Sequence, residues 1–292
     1  MKRFLRILFL LLCLAAAGIA LLFVSHKSLY RHADAGAHSL KVLSYNTQRM
    51  GGFAKPEKNS VIGYLRSSDA DILCLQEVEV YKSHKYLTFK ELRKALKEYP
   101  YFFCDFKIDN KRRQYGNVVF SKYPLANTGT VGFDSRGNMS SRCDVILQSD
   151  TFRLFVNHLE SNRLEQNDID SVIQTRSLSH GRLMDKLQSA GRLRRSQARE
   201  VRRCVKSSPY PVIVLGDFND IPLSATYLTL RMGLKDCFLR TSNLRFGNTL
   251  VWHRFGMRID YILCSPSFVP VAFRTDRTSG SDHYPVVATL TW

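Results

Sequence analysis

The chain reads Val212-Ile213-Val214-Leu215-Gly216-Asp217-Phe218-Asn219-Asp220, an apolar run that ends abruptly in acidic and amide side chains. Four consecutive β-forming residues predict a strand buried on both faces, as in a sheet that other layers cover. The polar residues that follow then lie at a strand end, where α/β sheets commonly bind ligands. We therefore predict an α/β fold with a site at one rim.

A second polar cluster lies near the C-terminus, where Gly280-Ser281-Asp282-His283-Tyr284-Pro285 precedes the β-forming run 286–290. Carboxylate and amide oxygens are ligands for hard divalent cations, and histidine serves as an acid or a base. The two clusters together indicate a metal site that activates water, which points to hydrolysis of a phosphate ester.

Further polar residues end or interrupt apolar runs, and Asn46, Glu77 and Asn157-His158 are expected to end strands over 42–46, 72–77 and 154–158. Asp260 interrupts the run 258–263, and a buried carboxylate needs a partner, which a histidine can provide. Taken singly, each residue also has a structural explanation as a cap, a turn or a hydrogen-bonded histidine. Their number favours a function. The candidate site residues are Asn46, Glu77, His158, Asp217, Asn219, Asp260, Asp282 and His283.

The rest of the chain alternates extended and helical patterns. Helical spacing is found over 60–67 and over 88–99, where Thr88 and Glu91 form a capping box. A hairpin is expected over 143–157, and a long basic helix over 174–206 with a break near 189–191. Several late strands have no helix between them, which indicates two sheets instead of one doubly wound sheet.

Six short pieces occur in one order along the chain and together resemble the endonuclease/exonuclease/phosphatase superfamily. This resemblance implies a four-layer α/β sandwich, in which two packed mixed β-sheets are flanked by helices, with a Mg²⁺ or Mn²⁺ site on one rim. The pieces are Leu43-Ser44-Tyr45-Asn46, Leu75-Gln76-Glu77, Asn157-His158-Leu159-Glu160-Ser161, Gly216-Asp217-Phe218-Asn219, Arg258-Ile259-Asp260-Tyr261-Ile262 and Ser281-Asp282-His283.

The resemblance also implies which residues hold the metal. Glu77 is expected to be the main ligand, with Asn46 and Asp282 beside it, directly or through water. Asn117, in the piece 115–118, is a candidate substrate contact, and its alternative is a turn that enters a strand. The implied cofactor is Mg²⁺, with Mn²⁺ as the alternative.

The implied catalytic residues surround the scissile phosphate. His283 is expected to face the phosphate, held and charged by Asp260, and His158 to donate to a phosphate oxygen. Asp217 is expected to orient or deprotonate the attacking water, which Asn219 positions. Whether Asp217 or His283 acts as the base stays open.

The N-terminus reads as a membrane signal. Residues 1–6 are basic, and residues 7–24 follow without a charge, a length that favours an uncleaved anchor over a signal peptide. Small residues over 15–20 leave cleavage open. We expect an anchor or signal over 1–27, a linker over 28–39 and a catalytic domain over 40–292. The domain is expected on the non-cytoplasmic side of the membrane, or secreted or periplasmic after cleavage.

The charge of the chain favours an anionic partner. Forty-three Lys and Arg face 25 Asp and Glu among 292 residues, a net charge of +18. Such a field attracts nucleic acid, inositol phosphates or an anionic membrane. The basic stretch 163–206 suits the same partners, and its alternative is a solvated helix face. The substrate stays open between a nuclease-type phosphodiester and a phospholipid or inositol phosphate, and a catalytically silent binding protein of the same fold is the non-enzyme alternative.

Overall fold

The computed structural model describes residues 38–52, 54–133, 135, 137–148, 150–162, 182–241, 247–252 and 255–292. The strands are β1 (Ser39–Asn46), β2 (Ile72–Tyr81), β3 (Tyr101–Asp109), β4 (Arg113–Ser121), β5 (Leu125–Val131), β6 (Met139–Leu147), β7 (Asp150–His158), β8 (Val212–Asp217), β9 (Lys235–Asp236), β10 (Leu250–Trp252), β11 (Phe255–Met257), β12 (Asp260–Cys264), β13 (Val269–Thr275) and β14 (Val286–Thr291). The helices are α1 (Ser60–Ser67), α2 (Phe89–Ala95), α3 (Arg182–Lys206), α4 (Ala225–Arg231) and α5 (Cys237–Thr241), together with a helical turn at Gln48–Gly51 and a 3-10 turn at Pro56–Lys58.

Two six-stranded mixed sheets form the centre of the fold. The first has the order β13-β14-β1-β2-β4-β3 and the second β5-β6-β7-β8-β12-β9, while β10 and β11 form a separate ribbon. The pairs β1–β2 and β7–β8 are parallel, and the other pairs within both sheets are antiparallel.

Three apolar clusters separate four layers. The central cluster joins the inner faces of both sheets, for example through Val42 and Ile213. A second cluster packs α1 and α2 on the outer face of the first sheet, through residues such as Leu65 and Leu92. The third packs α3 and α4 on the outer face of the second sheet, through residues such as Val201. The predicted four-layer α/β sandwich of two packed mixed sheets flanked by helices is confirmed.

Local predictions hold with three corrections, the first of which is that the helix expected over 88–99 ends at Ala95. The hairpin over 143–157 and the capping box of Thr88 and Glu91 are confirmed. The expected break near 189–191 is wrong, since α3 runs through it, and residues 174–181 lie outside the described part. The strand expected to end at Glu77 continues to Tyr81, because Val78 and Val80 stay buried in the sheet. Asn117 lies inside β4, which agrees with the strand expected over 117–120 and excludes the alternative of a turn.

The predicted anchor or signal over 1–27 lies outside the described residues, as does most of the linker over 28–39. Among the helices of the described ranges, none combines the length and the apolarity needed to cross a bilayer.

Candidate active site

Strand ends from both sheets bring the predicted polar residues to one rim. In the second sheet, His158 at the end of β7 pairs in register with Asp217 at the end of β8, and Asp217 pairs with Asp260 at the start of β12. Asn46 ends β1 in the first sheet and donates from Nδ2 to Asp217 Oδ2 at 3.0 Å. This hydrogen bond joins the rims of the two sheets.

Glu77 reaches the same place through a β-bulge. The register between β2 and β4 shifts between Leu75 and Val78, and Glu77 has a φ of 54°. A bulge turns a side chain away from the alternation of the strand, and bulges are frequent next to active sites. Asn46 Nδ2 donates to Glu77 Oε1 at 3.1 Å. The bulge therefore places this carboxylate beside the ends of β1 and β8, with 23% of its side chain exposed.

His283 lies between two carboxylates. Its Nδ1 is 2.9 Å from Asp260 Oδ2, and its Nε2 is 3.7 Å from Asp217 Oδ2. Burial lowers the pKa of His283, but the charges of Asp260 and Asp217 outweigh burial and raise it to about 10. The ring is therefore a cation at neutral pH, and Asp260 fixes its orientation. Thr249 Oγ1 in turn accepts from the backbone N–H of Asp260 at 3.0 Å.

Asp217 is buried at the centre of the cluster. Asn219 donates to it twice, from the backbone N–H to Oδ1 at 2.8 Å and from Nδ2 to Oδ2 at 3.2 Å. Burial raises the pKa of Asp217 to about 6, although the neighbouring histidines oppose that shift. A carboxylate with such a pKa can accept a proton near neutral pH.

His158 closes the cluster from β7. Its Nε2 is 3.4 Å from Glu77 Oε1 and 4.0 Å from Asp217 Oδ2. Asn138 contacts the same nitrogen at 3.2 Å and donates from Nδ2 to the carbonyl of Leu159 at 2.8 Å. We did not predict Asn138, because it is a lone polar residue before β6 without a motif around it.

The remaining two candidates lie at the margin. Asp282 is exposed, and its backbone N–H donates to Gln48 Oε1 at 3.1 Å beside an open groove of about 590 Å³. Asn117 is buried and donates to Ser141 Oγ at 3.1 Å and to the carbonyl of Val156 at 3.0 Å. Its role as a substrate contact stays a prediction.

The residues around Glu77 fit a hard divalent cation. Glu77 Oε1 is engaged by Asn46 and His158, whereas no described residue hydrogen-bonds to Oε2, and the side chain is partly exposed, so that Oε2 is available to a cation. The exposed Asp282 borders the rim, because Ser281 beside it donates from Oγ to the backbone carbonyl of Asn46 at 2.8 Å. Such oxygen ligands with access to water suit Mg²⁺.

A second group, made of Asp217, Asp260 and His283, offers ligand atoms within 4.8 Å of one another. His283 lies between the two carboxylates, with its Nδ1 2.9 Å from Asp260 Oδ2, and both aspartates are only 1% exposed, so this group offers a cation less access to water than Glu77 does. The cation that neutralises the two carboxylates is His283 itself.

One family model and several solved structures are similar to this chain. The model of the Endonuclease/Exonuclease/phosphatase family matches residues 43–283. Among curated proteins, none matches the chain.

Solved structures share the fold at low sequence identity. An endonuclease/exonuclease/phosphatase from Beutenbergia cavernae is 17% identical, with a TM-score of 0.65 over 87% of this chain and 71% of that one. Truncated TDP2 from Caenorhabditis elegans is 18% identical, with a TM-score of 0.63 over 87% of this chain and 98% of that one. A mannosyl-6-phosphatase from Bacteroides thetaiotaomicron is 17% identical, with a TM-score of 0.58 over 87% of this chain and all (100%) of that one.

Proposed function

This chain belongs to the endonuclease/exonuclease/phosphatase family, whose members hydrolyse phosphate esters, and we propose that it is a Mg²⁺-dependent phosphoesterase. The proposal rests on one observation. Seven of the residues expected from the sequence meet at a single rim, although they are spread over more than two hundred positions of the chain. They are Asn46, Glu77, His158, Asp217, Asn219, Asp260 and His283.

Each residue has a role that its contacts support. Glu77 would hold the metal through its open oxygen, with Asp282 and Asn46 beside it, and Mn²⁺ would suit the same oxygens. When bound, the cation would supply positive charge to the phosphate oxygens. Asn46 orients Glu77 and Asp217 by donating to both carboxylates.

The buried centre would move the proton. Asp217, held by Asn219, is the group that accepts a proton from the attacking water. His283 is charged and fixed by Asp260, so that it stabilises negative charge that develops on the phosphate. His158 would donate to another phosphate oxygen from the opposite side of Asp217.

For the substrate we propose a phosphodiester of the nuclease type, because the net charge of +18 favours polyanions. A phospholipid or an inositol phosphate is the alternative. One solved structure with this fold is named a mannosyl-6-phosphatase, so a small sugar phosphate also belongs among the candidate substrates. We further propose that residues 1–27 place the domain 40–292 on the outer side of a membrane, or export it.

The function is tested with the purified protein and a panel of plasmid DNA, sphingomyelin, inositol phosphates and mannose 6-phosphate, each with Mg²⁺ and with EDTA. We expect hydrolysis of at least one ester with Mg²⁺ only. Glu77→Gln and His283→Gln are each expected to lower its rate by about 100-fold or more, since each removes charge from the reacting centre.

Matched controls remove the same groups elsewhere. Glu98 and His38 are exposed at the end of the first sheet opposite the rim, where Glu98 precedes β3 and His38 precedes β1, so Glu98→Gln and His38→Gln are expected to keep the wild-type rate. Full activity in either active-site variant, with controls unchanged, would reject the assignment of the site. An intact protein that binds no Mg²⁺ and hydrolyses nothing would favour the binding-protein alternative.

A further inference from the structure

An apolar patch is exposed beside the catalytic rim. It consists of Ile221, Leu223, Leu228 and Met232, whose exposed fractions are 52%, 54%, 47% and 59%. These residues belong to α4 and to the loop that follows Asp220. Soluble proteins rarely expose several neighbouring large apolar side chains unless the surface binds something. We call this group the apolar patch.

The backbone of Leu223, one residue of the apolar patch, is strained. Leu223 has a φ of 69°, in the left-handed region that residues other than glycine seldom adopt. The residue is more than half exposed, so burial within the described chain does not offset this strain. Strained residues of this kind cluster at functional sites. The conformation of Leu223 therefore points to contact with something outside the described chain.

The neighbouring helix α3 presents a row of arginines. Arg192, Arg195, Arg199 and Arg203 are exposed and lie three or four positions apart, so they share one face of the helix. Lys206 continues this face, which spans about 21 Å at a rise of 1.5 Å per residue. Arg203 pairs with Glu200, whereas the other three arginines form no ion pair with a described residue. We call these five residues the basic row.

The basic row and the apolar patch belong to one surface. Both helices pack on the outer face of the second sheet, through Val201 of α3 and Leu230 of α4, so their opposite faces point outward together. Arg194 Nε is 3.3 Å from Asp220 Oδ2, which fastens α3 to the loop before the patch. Arg202, one position from the row, lies beside Gly233 at the other end of α4. The row therefore borders the patch along its length.

We propose that this surface docks the domain on an anionic lipid bilayer. The apolar patch would enter the boundary between headgroups and acyl chains, and the basic row would contact anionic headgroups beside it. A nucleic acid would match the arginines but not four exposed aliphatic side chains. A second copy of the chain would bring its own basic row to the contact, and the like charges would repel.

The surface also fits the position of the site. The patch begins at Ile221, two residues after Asn219, so docking would hold the rim close to the bilayer. This inference does not rest on the proposed hydrolysis, because docking needs neither metal nor substrate. An N-terminal anchor would bring the domain to a membrane, whereas this surface would set its orientation there.

The test places an indole in the patch of the full-length protein by Leu228→Trp. Vesicles of brominated phosphatidylcholine, with or without phosphatidylglycerol, quench an indole that enters the acyl region. The wild type has two tryptophans of its own, so its quenching is the baseline. We expect the fluorescence of Leu228→Trp to be quenched well beyond this baseline by vesicles that contain phosphatidylglycerol, and not by vesicles without it. About 0.5 M NaCl is expected to remove most of it, because salt screens the charges.

Two pairs of charge substitutions in the Leu228→Trp background distinguish binding through the basic row from a general attraction of the positively charged protein to anionic vesicles. Arg195→Gln with Arg199→Gln is expected to lose most of the quenching. The control pair, Lys111→Gln with Arg112→Gln, removes the same amount of charge from the exposed turn between β3 and β4. This pair is expected to keep the quenching. Equal quenching with and without phosphatidylglycerol, or equal loss in both pairs, would overturn the proposal. So would a change of the new indole's emission by duplex DNA but not by vesicles.

Discussion

At the scale of residues, Asp217 and His283 are distinguished by what surrounds them. The sequence left open which of the two is the base. Burial raises the pKa of Asp217 to about 6, so this group is mostly deprotonated at neutral pH and can accept a proton. The carboxylates of Asp260 and Asp217 outweigh burial and raise the pKa of His283 to about 10, so its ring already carries a proton. These environments favour Asp217 as the base and His283 as the cation.

The assignment predicts the pH dependence of kcat/KM. Activity is expected to rise with pH through about 6, as Asp217 loses its proton, and to fall through about 10, as His283 loses its own. Asp260→Asn removes the charge that contributes most to the raised pKa of His283. The alkaline limb of the pH profile is therefore expected to move toward lower pH. An alkaline limb that stays in place in this variant would contradict the role of the pair.

The same pair predicts a pH-dependent free energy of unfolding. The pKa of His283 is raised in the folded state, from 6.5 to about 10, so its protonation stabilises the fold fully below 6.5 and not above 10. Asp260→Asn is expected to lower the free energy of unfolding by about 3 kcal/mol near pH 6. The reason is that the charged ring of His283 stays buried after its carboxylate partner has been removed. Urea unfolding of both proteins at several pH values is expected to show this difference shrinking as pH rises through that window. A difference that grows with pH would contradict it.

At the scale of elements, the site depends on how closely β7 and β8 approach each other. Gly216 pairs in register with Asn157, and its φ is 123°. A Cβ atom at Gly216 would lie 2.0 Å from the carbonyl oxygen of Asn157. The glycine therefore lets the two strands carry His158 and Asp217 side by side.

Gly216→Ala is expected to lower the free energy of unfolding by about 3 kcal/mol or more, from backbone strain and overpacking together. The matched control is Gly63→Ala in α1, where a Cβ atom would meet nothing within 4 Å. This control is expected to stabilise the protein by about 0.5–1 kcal/mol, because alanine is the better helix former. Urea unfolding measures both, and equal effects would contradict the account of Gly216.

The sequence predicted strand ends well and missed features that depend on pairing. Asn46, His158 and Asp217 end their strands as expected, because a change from apolar to polar residues is a local signal. The bulge at Glu77 was missed, because it is defined by how β2 pairs with β4, where Leu75 lies opposite Val118 and Val78 opposite Gly116. Asn138 was missed because no motif surrounds it, and its contact with His158 depends on how β6 pairs with β7.

At the scale of the whole molecule, the four layers follow from apolar runs of different kinds. Strands such as β8 are buried on both faces, which requires a layer on each side. The order of strands within the two sheets did not follow from composition or spacing, because it is set by long-range contacts that a single sequence does not reveal. The resemblance to a known superfamily supplied that architecture, which the structure confirms.

The charge of the whole chain predicts the effect of salt on activity. For a polyanionic substrate, kcat/KM is expected to fall more than about tenfold between 50 and 200 mM NaCl, because neutralised phosphates release counterions. For a small ester with one phosphate, the fall is expected to be several-fold weaker. Rates measured at both concentrations with one protein preparation give the comparison. Equal dependence for both substrates would contradict a role of the net charge of +18 in substrate capture.

The central proposal is that one cation would be held at Glu77, beside the proton-transferring cluster of Asp217, Asp260 and His283. Anomalous diffraction from crystals grown with Mn²⁺ tests this directly, because it locates the metal without depending on activity. The account predicts an anomalous peak bonded to the open oxygen of Glu77, and its loss in crystals of Glu77→Gln. A peak among Asp217, Asp260 and His283 instead, or no peak at this rim, would contradict it.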